Sequence, residues 1–214
     1  MIKNVLFDFD GVLVESVQVK TKAFEHLYLP YGKEISDRVV SHHEANGGVS
    51  RFEKFRLYSG EWLGEEIDNA KIENLAKEFS DLVVEAVVAA DWVPGADVFL
   101  RQYVSNYHSW IITGTPTEEI KAILKRRAIA QYFIEAFGSP TKKPDWVAHI
   151  IQKYGIVPKE TVFIGDALSD YEAAITHQLN FILRETPMNK QLFKEYSGPR
   201  IPNLLTLESE LNKL

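Results

Sequence analysis

The sequence of 214 residues contains no cysteine and only two methionines. A chain without thiols forms no disulfide and no thiolate zinc site, and it has no cysteine nucleophile. The absence of cysteine suits a reducing compartment, so we expect a cytoplasmic protein. The sequence also lacks an apolar run of bilayer length and the pattern of a secretory signal near Met1. We therefore expect no membrane association and no leader.

Basic residues are in the minority, because 24 lysines and arginines accompany 30 aspartates and glutamates, for a net charge of −6. Nucleic acids are bound through basic surfaces, so this balance predicts no nucleic-acid partner. A local cationic pocket for a small anion is compatible with it. The 45% hydrophobic content is enough for one large core or for a core with an inserted lobe.

Short apolar segments alternate with helical patterns from residue 96 onward. This alternation predicts β-α units in a doubly wound parallel sheet, and so an α/β fold. The predicted strands cover residues 5–7, 110–113, 136–138, 161–165 and 181–183.

The segment 16–88 is mainly helical and is too long for a simple connection. It predicts an inserted helical cap over the carboxyl edge of the sheet, with residues 1–15 and 89–214 forming the core. The predicted cap helices span about 16–29, a stretch from about residue 50, and 68–90, and a polar loop is predicted at 41–48.

Several conspicuous side chains of this chain are predicted to be structural. His42 and His43 are interpreted as solvated loop residues, although contact with a substrate is the alternative. The aromatic residues Tyr58, Trp62 and Phe79 are predicted to form the cap core. The basic run 125–127 is interpreted as the exposed face of a helix.

Two carboxylates follow the first predicted strand, in the run Asp8-Phe9-Asp10-Gly11. Residues two apart in an extended segment point to the same side, so Asp8 and Asp10 are expected to face one small volume. The carboxyl edge of a parallel sheet is where open α/β folds bind ligands. Two anions this close require a cation or a shared proton.

Two further segments end at the same predicted edge. Thr113 and the backbone N–H groups that follow it, including that of Gly114, are candidates for binding phosphate oxygens, and a capping threonine is the alternative. Lys143 precedes Pro144, which disfavours helical geometry at the lysine and places it at a helix entrance. Its ammonium would neutralise an anion there; the alternative is a solvated basic turn.

The strand at 161–165 leads into Asp166, and a second carboxylate, Asp170, follows four residues later. Oxygen-rich sites of this kind suit Mg²⁺, which prefers one or two carboxylates, water and substrate phosphate oxygens. Helix capping by Asp166 or Ser169 is the alternative interpretation.

Taken together, these segments resemble the four motifs of the haloacid dehalogenase-like superfamily, including members similar to phosphoglycolate phosphatase and β-phosphoglucomutase. The resemblance spans essentially the whole chain, with a helical cap inserted between the first and second motifs. It rests on DFDGVL with Asp8 and Asp10, IITGT with Thr113, KKP with Lys143, and GDALSD with Asp166 and Asp170.

The resemblance implies a role for each acid. Asp8 would attack phosphorus to form an aspartyl-phosphate, and Asp10 would act as general acid and then as general base. Mg²⁺ would be bound by Asp8, the main-chain carbonyl of Asp10, and Asp166, with Asp170 supporting it. Because dehalogenases of this superfamily lack the second acid, the presence of Asp10 favours phosphate-ester hydrolysis.

The resemblance also implies that Thr113 and Lys143 hold the transferring phosphoryl oxygens, with Lys142 as a competing candidate. In the cap, the sequence before Arg51 is similar to sugar-phosphate members such as β-phosphoglucomutase, in which an arginine engages a substrate phosphate. The alternative for Arg51 is a surface arginine on an amphipathic helix.

These implications favour a Mg²⁺-dependent phosphatase of a small phosphorylated metabolite. A phosphosugar mutase is the second hypothesis, and a non-catalytic ligand sensor is the third. The sequence leaves open the substrate and the choice between a monomer and a homodimer.

Overall fold

The computed structural model describes residues 1–214, and its centre is a six-stranded parallel sheet in the order β3-β2-β1-β4-β5-β6. Nine α-helices accompany the sheet, and none combines the length and apolar character that crossing a membrane requires. The strands are β1 (Asn4–Phe7), β2 (His108–Pro116), β3 (Glu135–Ser139), β4 (Thr161–Gly165), β5 (Asn180–Arg184) and β6 (Arg200–Ile201). The helices are α1 (Val17–Tyr28), α2 (Lys33–Ala45), α3 (Arg51–Phe55), α4 (Asn69–Ala89), α5 (Ala96–Gln102), α6 (Thr117–Arg126), α7 (Lys143–Tyr154), α8 (Leu168–Thr176) and α9 (Leu207–Leu211).

Strand β1 lies in the middle of the sheet and is buried along its whole length. Its last residue, Phe7, is in register with Ile111 of β2 on one side and with Ile164 of β4 on the other. The chain winds outward through β2 and β3 and then returns to β1 before adding β4, so the order reverses beside β1. The predicted α/β fold is confirmed, and the reversal places the ends of β1, β2 and β4 around one crevice.

All five predicted strands are present, with two differences. Strand β2 continues to Pro116 instead of stopping at Thr113, and its register against β3 shifts between Ile112 and Pro116. The edge strand β6 was not predicted, because two residues carry no detectable alternation.

Helices α1 to α4 lie between β1 and β2, and we call the segment 17–89 the helical insertion. An aromatic cluster forms its interior, with Phe24 and Phe79 ring centroids 4.5 Å apart and Tyr58 and Trp62 centroids 4.8 Å apart. The prediction that these aromatics are core residues is confirmed. The division of the chain at 16 and 88 into two domains stays a prediction.

The predicted polar loop at 41–48 is wrong in its first half, because α2 continues to Ala45. His43 is consequently buried, with its ring 4.7 Å from that of Phe24, and His42 bonds through Nδ1 to the Tyr58 hydroxyl at 2.8 Å. The prediction of a solvated side chain is therefore wrong for His43, whereas His42 is half-buried and has a protein partner. Both histidines belong to the face of α2 that packs against the aromatic cluster.

The prediction that Arg127 lies on an exposed helix face is also wrong. Its Nη1 donates to the carbonyls of Val87, Val88 and Ala90, at 3.1, 2.7 and 2.8 Å, and its guanidinium lies 4.5 Å from the Trp92 ring. The last turn of a helix leaves carbonyls without partners, and Arg127 satisfies them at the end of α4. It thereby connects the insertion to the sheet domain.

We expect Arg127→Met to lower the free energy of unfolding by about 2 kcal/mol, because three partly buried carbonyls lose a charged donor. Urea unfolding followed by circular dichroism measures the change. Lys125→Met, at an exposed position two residues earlier, is the matched control and should change the stability by less than about 0.5 kcal/mol. Equal stabilities for the two variants would contradict the capping role of Arg127.

Candidate active site

Asp8 is held at the end of β1 by the sheet itself. Its backbone N–H donates to the carbonyl of Ile164 at 3.0 Å, which extends the ladder between β1 and β4 by one residue. The Phe9 N–H donates to Oδ1 of Asp8 at 2.7 Å. Only 3% of Asp8 is exposed, so its carboxylate has a fixed position in the crevice.

Lys143 lies between two carboxylates. Its Nζ is 3.0 Å from Oδ2 of Asp8 and 2.5 Å from Oδ1 of Asp170, and the side chain is 4% exposed. Burial alone would lower the pKa of Lys143, but the adjacent Asp170 and Asp8 outweigh burial and raise it. The interpretation of Lys143 as a solvated turn is therefore wrong, and that description fits the exposed Lys142.

The helix entrance differs from the prediction by one residue. Helix α7 begins at Lys143 itself, and the residue in extended conformation before it is Lys142, with φ −73° and ψ 152°. Proline is tolerated within the first turn of a helix, so Pro144 fits without displacing Lys143.

Asp170 is completely buried and accepts hydrogen bonds from three groups. Its Oδ2 accepts hydrogen bonds from the backbone N–H groups of Ala167 at 3.0 Å and Asp166 at 3.2 Å, while Oδ1 accepts from Lys143. The contact requires glycine at 165, because a Cβ there would lie 2.3 Å from the Cβ of Asp170. This close approach is the physical reason for the Gly-Asp step after β4.

Three carboxylates surround the single ammonium of Lys143. Oxygens of Asp8, Asp166 and Asp170 all lie within 4.8 Å of one another. Burial, followed by the proximity of Asp8 and Asp170, raises the pKa of Asp166 well above its ordinary value. Ionising all three carboxylates is therefore unfavourable with Lys143 as the sole cation, and their oxygen donors fit a hard divalent cation such as Mg²⁺.

Asp170 belongs to this cluster, but both of its oxygens are already bonded to Lys143 or to backbone N–H groups, and its supporting role stays a prediction. The predicted contribution of Asp10 is its main-chain carbonyl, which accepts no hydrogen bond within the protein. Next to it, Gly11 has φ +74°, and a Cβ there would lie 2.2 Å from Oδ2 of Asp166. The backbone at residues 10–11 thus approaches the Asp166 carboxylate closely.

The Asp10 carboxylate has partners of its own. Ser16 Oγ donates to Oδ1 at 2.6 Å, Thr115 Oγ1 donates to Oδ2 at 3.1 Å, and Lys20 Nζ forms an ion pair with Oδ2. Burial would raise the pKa of Asp10, but Lys20 and the hydroxyl donors outweigh it and lower the pKa. Asp8 and Asp10 therefore face different partners, although both line one cavity.

Lys20 and Thr115 were missed by the sequence analysis. Lys20 follows Ser16 by four residues at the start of a helix, so both side chains lie on one helix face. The spacing of four residues could have identified Lys20 as a second partner of Asp10. Thr115 was not predicted as a site residue, because the predicted strand stops at Thr113.

Thr113 is buried, and its Oγ1 is 3.5 Å from Oδ2 of Asp10. The capping alternative is not supported, because the residue before α6 is Pro116 and Thr113 lies inside β2. Gly114 lies against the insertion, since a Cβ at this residue would be 2.5 Å from the carbonyl oxygen of Gly48. The structure thus brings the end of β2, Asp8 and the insertion together.

A cavity of about 420 Å³ lies between the strand ends and the insertion. The sheet side contributes Asp8, Asp10, Thr113, Gly114 and Asp166 to its lining. The insertion contributes three cations to the lining, Lys20, Arg51 and Lys54, together with apolar side chains such as Phe24 and Phe79. Lys143 lies beneath Gly48 of the insertion, because a Cβ at Gly48 would be 3.0 Å from the Lys143 Nζ.

Arg51 reaches this cavity but is already paired. Its Nη2 is 2.6 Å and its Nη1 3.0 Å from the two carboxylate oxygens of Glu119, and Nη1 also donates to Ser80 at 2.8 Å. The guanidinium lies 4.5 Å from the Phe79 ring, and 4% of the residue is exposed. The interpretation of Arg51 as a surface residue is wrong, and its phosphate contact stays a prediction.

Comparison with known proteins identifies the family of this chain. The family model for haloacid dehalogenase-like hydrolases matches residues 2–177. The phosphoglycolate phosphatase of Pseudomonas putida is 27% identical over 176 residues, which are 79% of this chain and 64% of that protein. The phosphoglycolate phosphatase of Psychrobacter arcticus is 27% identical over 178 residues, with 78% and 76% coverage. The chain thus spans less than two thirds of the length of some curated relatives.

Two solved structures share the fold. A β-phosphoglucomutase from Clostridium difficile superposes with a TM-score of 0.77 at 16% identity, over 100% of this chain and 98% of that one. A haloacid dehalogenase-like family protein from Streptococcus pneumoniae gives a TM-score of 0.72 at 17% identity, over 98% of both chains. At these identities the likeness concerns architecture, including the helical insertion.

If the acidic cluster is a cation site, millimolar Mg²⁺ should raise the melting temperature of the wild type, because a ligand of the folded state stabilises it. Asp166→Asn should lose this response and should be more stable than the wild type without metal, by about 1 kcal/mol. The sign follows from the raised pKa of Asp166, since its ionisation costs more in the folded than in the unfolded chain.

Calorimetric melting with and without MgCl₂ measures both effects. Asp91→Asn, the same substitution at an exposed residue, should respond to Mg²⁺ as the wild type does. An Asp166→Asn protein with the full Mg²⁺ response would contradict the site.

Proposed function

The chain belongs to the haloacid dehalogenase-like hydrolase family, and from this membership we propose that it is a Mg²⁺-dependent phosphatase of a small phosphorylated metabolite. The observation that carries the proposal is the separation of the two acids. Asp8 is paired with Lys143 inside the carboxylate cluster, whereas Asp10 is bonded to hydroxyls and Lys20. Relatives that are themselves named phosphoglycolate phosphatases support it.

Asp8 is the proposed nucleophile. One of its oxygens is fixed by the Phe9 N–H and the other lies beside Lys143, so the carboxylate is oriented before a substrate arrives. Attack of a carboxylate oxygen on phosphorus forms an aspartyl-phosphate and expels the alcohol oxygen of the ester. Water then cleaves the intermediate and releases inorganic phosphate.

Asp10 is the proposed proton carrier. It would donate a proton to the departing oxygen and then accept one from the attacking water. Its lowered pKa favours the ionised carboxylate, which is the form that the second step requires. The first step requires a protonated Asp10, so Lys20 must move away from the carboxylate or hand over a proton before the leaving oxygen departs. Because Lys20 lies on α1, the acid step depends on the position of the helical insertion, which we propose acts as a cap.

The phosphoryl group would be held by donors from two elements. Lys143 supplies an ammonium beside Asp8, and Thr113 and the Gly114 N–H supply hydroxyl and backbone donors at the end of β2. Mg²⁺ would be held by Asp8, the Asp10 carbonyl and Asp166, with Asp170 orienting its neighbours. When bound it would screen the carboxylates from the anionic phosphate and stabilise charge on the transferring group.

A phosphosugar mutase is the second candidate, favoured by one observation. Arg51 lies in the cavity lining, where it would meet a second phosphate on a sugar. Its pairing with Glu119 lowers its availability for that role, which is why hydrolysis is preferred here. We expect the enzyme to work in the cytoplasm as a monomer or homodimer.

A panel of small phosphate esters tests the hydrolase. The wild type should release inorganic phosphate from at least one ester only when Mg²⁺ is present. Asp8→Asn should lower kcat by more than about 1,000-fold because the nucleophile is lost, and Asp10→Asn should lower it by about 100- to 10,000-fold. Asp91→Asn is the control and should retain activity. Turnover equal to that of Asp8→Asn across the whole panel would refute hydrolysis.

Phosphorus NMR of the products separates the two candidates. For a hydrolase, all phosphate lost from the ester appears as inorganic phosphate. For a mutase, incubation with a hexose 1-phosphate and catalytic hexose bisphosphate yields the isomeric monophosphate with total ester unchanged. That second result would replace the phosphatase by the mutase.

A further inference from the structure

Lys54 is a buried lysine in the cavity lining that the proposed reaction does not use. It lies near the end of α3, 2% of it is exposed, and its Nζ has one hydrogen-bond partner, Nδ1 of His43 at 2.8 Å. The ammonium is also 5.6 Å from the centre of the Phe24 ring. The two other N–H bonds of the ammonium find no acceptor in the protein.

The other cations around the cavity all have carboxylate partners. Lys143 pairs with Asp8 and Asp170, Lys20 pairs with Asp10, and Arg51 pairs with Glu119. Lys54 alone in this set has no ion pair. A buried charge without a counter-ion is costly, so such a group is expected where a ligand supplies the missing anion.

The surroundings of Lys54 agree with an incomplete site. Burial, and then the nearby charge of Lys20, lowers the pKa of Lys54 to about 7, against a smaller opposing effect of Glu53. Burial and Lys54 lower the pKa of His43 to about 2, so its neutral ring accepts the hydrogen bond from the lysine. The pKa of His42 is also lowered, and this side chain supplies no counter-ion for Lys54. An anion beside Lys54 would reverse this loss of basicity.

We propose that Lys54 determines substrate specificity by binding a carboxylate on the leaving group of the phosphate ester. The inference rests on the proposed phosphatase function, because the other end of the substrate must lie at Asp8. Lys20 is close enough to Lys54 to affect it and also contacts Asp10, the proposed proton donor. Lys20 and Lys54 both line the cavity from the insertion, so a leaving group that departs past Asp10 toward the insertion would face them.

A carboxylate fits this position better than a second phosphate does. Phosphate dianions are typically bound by several donors or by the fork of an arginine, and the fork of Arg51 is occupied by both oxygens of Glu119. Lys54 offers one ammonium near the apolar ring of Phe24, and Phe79 also contributes to the cavity lining. The substrate class is thus a short phosphorylated hydroxy acid.

Two esters of similar size test the assignment. 2-Phosphoglycolate carries the carboxylate, and 2-hydroxyethyl phosphate carries a neutral hydroxyl in its place. The wild type should favour the carboxylate ester in kcat/KM. Lys54→Met, which keeps the length and apolar stem of the side chain, should lower kcat/KM for phosphoglycolate by about 30-fold or more and leave the neutral ester within about 3-fold.

Controls separate specificity from folding. Lys22→Met, at an exposed lysine of α1, should leave both esters unchanged. Lys54→Gln replaces Lys54→Met if the latter does not fold, and it should lose the same preference. An equal loss for both esters would show that Lys54 only supports the structure, and would overturn the inference. A wild type that prefers a bisphosphate of the same length would overturn the carboxylate assignment.

A binding measurement keeps this inference separate from the proposed reaction. Calorimetric titration of the two esters in EDTA compares their Kd values without requiring turnover, and the acidic cluster penalises both phosphates equally. Tighter binding of phosphoglycolate that Lys54→Met abolishes supports the carboxylate site even if no ester is hydrolysed, in which case the phosphatase proposal alone fails. Equal Kd values in the wild type would refute the site even if both esters are hydrolysed.

Discussion

The contact between the Lys143 ammonium and the carboxylates of Asp8 and Asp170 is the interaction on which this structure depends. It joins three elements that are distant in sequence, since Asp8 follows β1, Lys143 begins α7 and Asp170 lies in the first turn of α8. Buried carboxylates repel one another, and each would be costly alone. The lysine makes the proximity of these two carboxylates tolerable, and ionising Asp166 beside them favours the binding of a further cation.

The helical insertion supplies the part of the candidate site that the sheet does not. The strand ends supply the acids, but the partners of Asp10 include Ser16 and Lys20, which lie at the entrance to the insertion and on its first helix. Gly48 lies over Lys143 and against Gly114. The proposed chemistry therefore resides in the sheet, while access, proton supply and the choice of leaving group reside in the insertion.

The sequence was sufficient for the sheet and for the acids at its edge, because strand ends in a parallel sheet bring short motifs to one place. Asp8 and Asp166 follow strands, Lys143 begins a helix, and Asp170 lies in a first helical turn. Thr113 lies near the end of β2, so the convergence of all five was predictable. The family resemblance added their proposed roles.

The contacts of the insertion were not predictable in the same way. Lys20, Lys54 and Arg127 have the pattern of ordinary polar positions of helices, and for Arg51 a surface position is one of two interpretations. Packing between helices buries Arg51 and Lys54 and half-buries the other two. Their partners come from remote segments, as Glu119 does for Arg51 across 68 residues. The helical position of His42 and His43 was not predicted, because the short polar stretch that contains them is typical of a loop. Helix α2 continues through it by packing on α1.

The central claim is that Asp8 attacks phosphorus, and acid quenching of the enzyme during turnover tests it most directly. Peptide mass spectrometry after rapid mixing with phosphoglycolate and Mg²⁺ should find one added phosphoryl group on the peptide that contains Asp8, labile to hydroxylamine. The adduct should be absent from Asp8→Asn. Steady turnover with no adduct at any quench time, together with inversion of configuration at phosphorus in a chiral phosphate ester, would contradict the account, because two successive displacements retain the configuration.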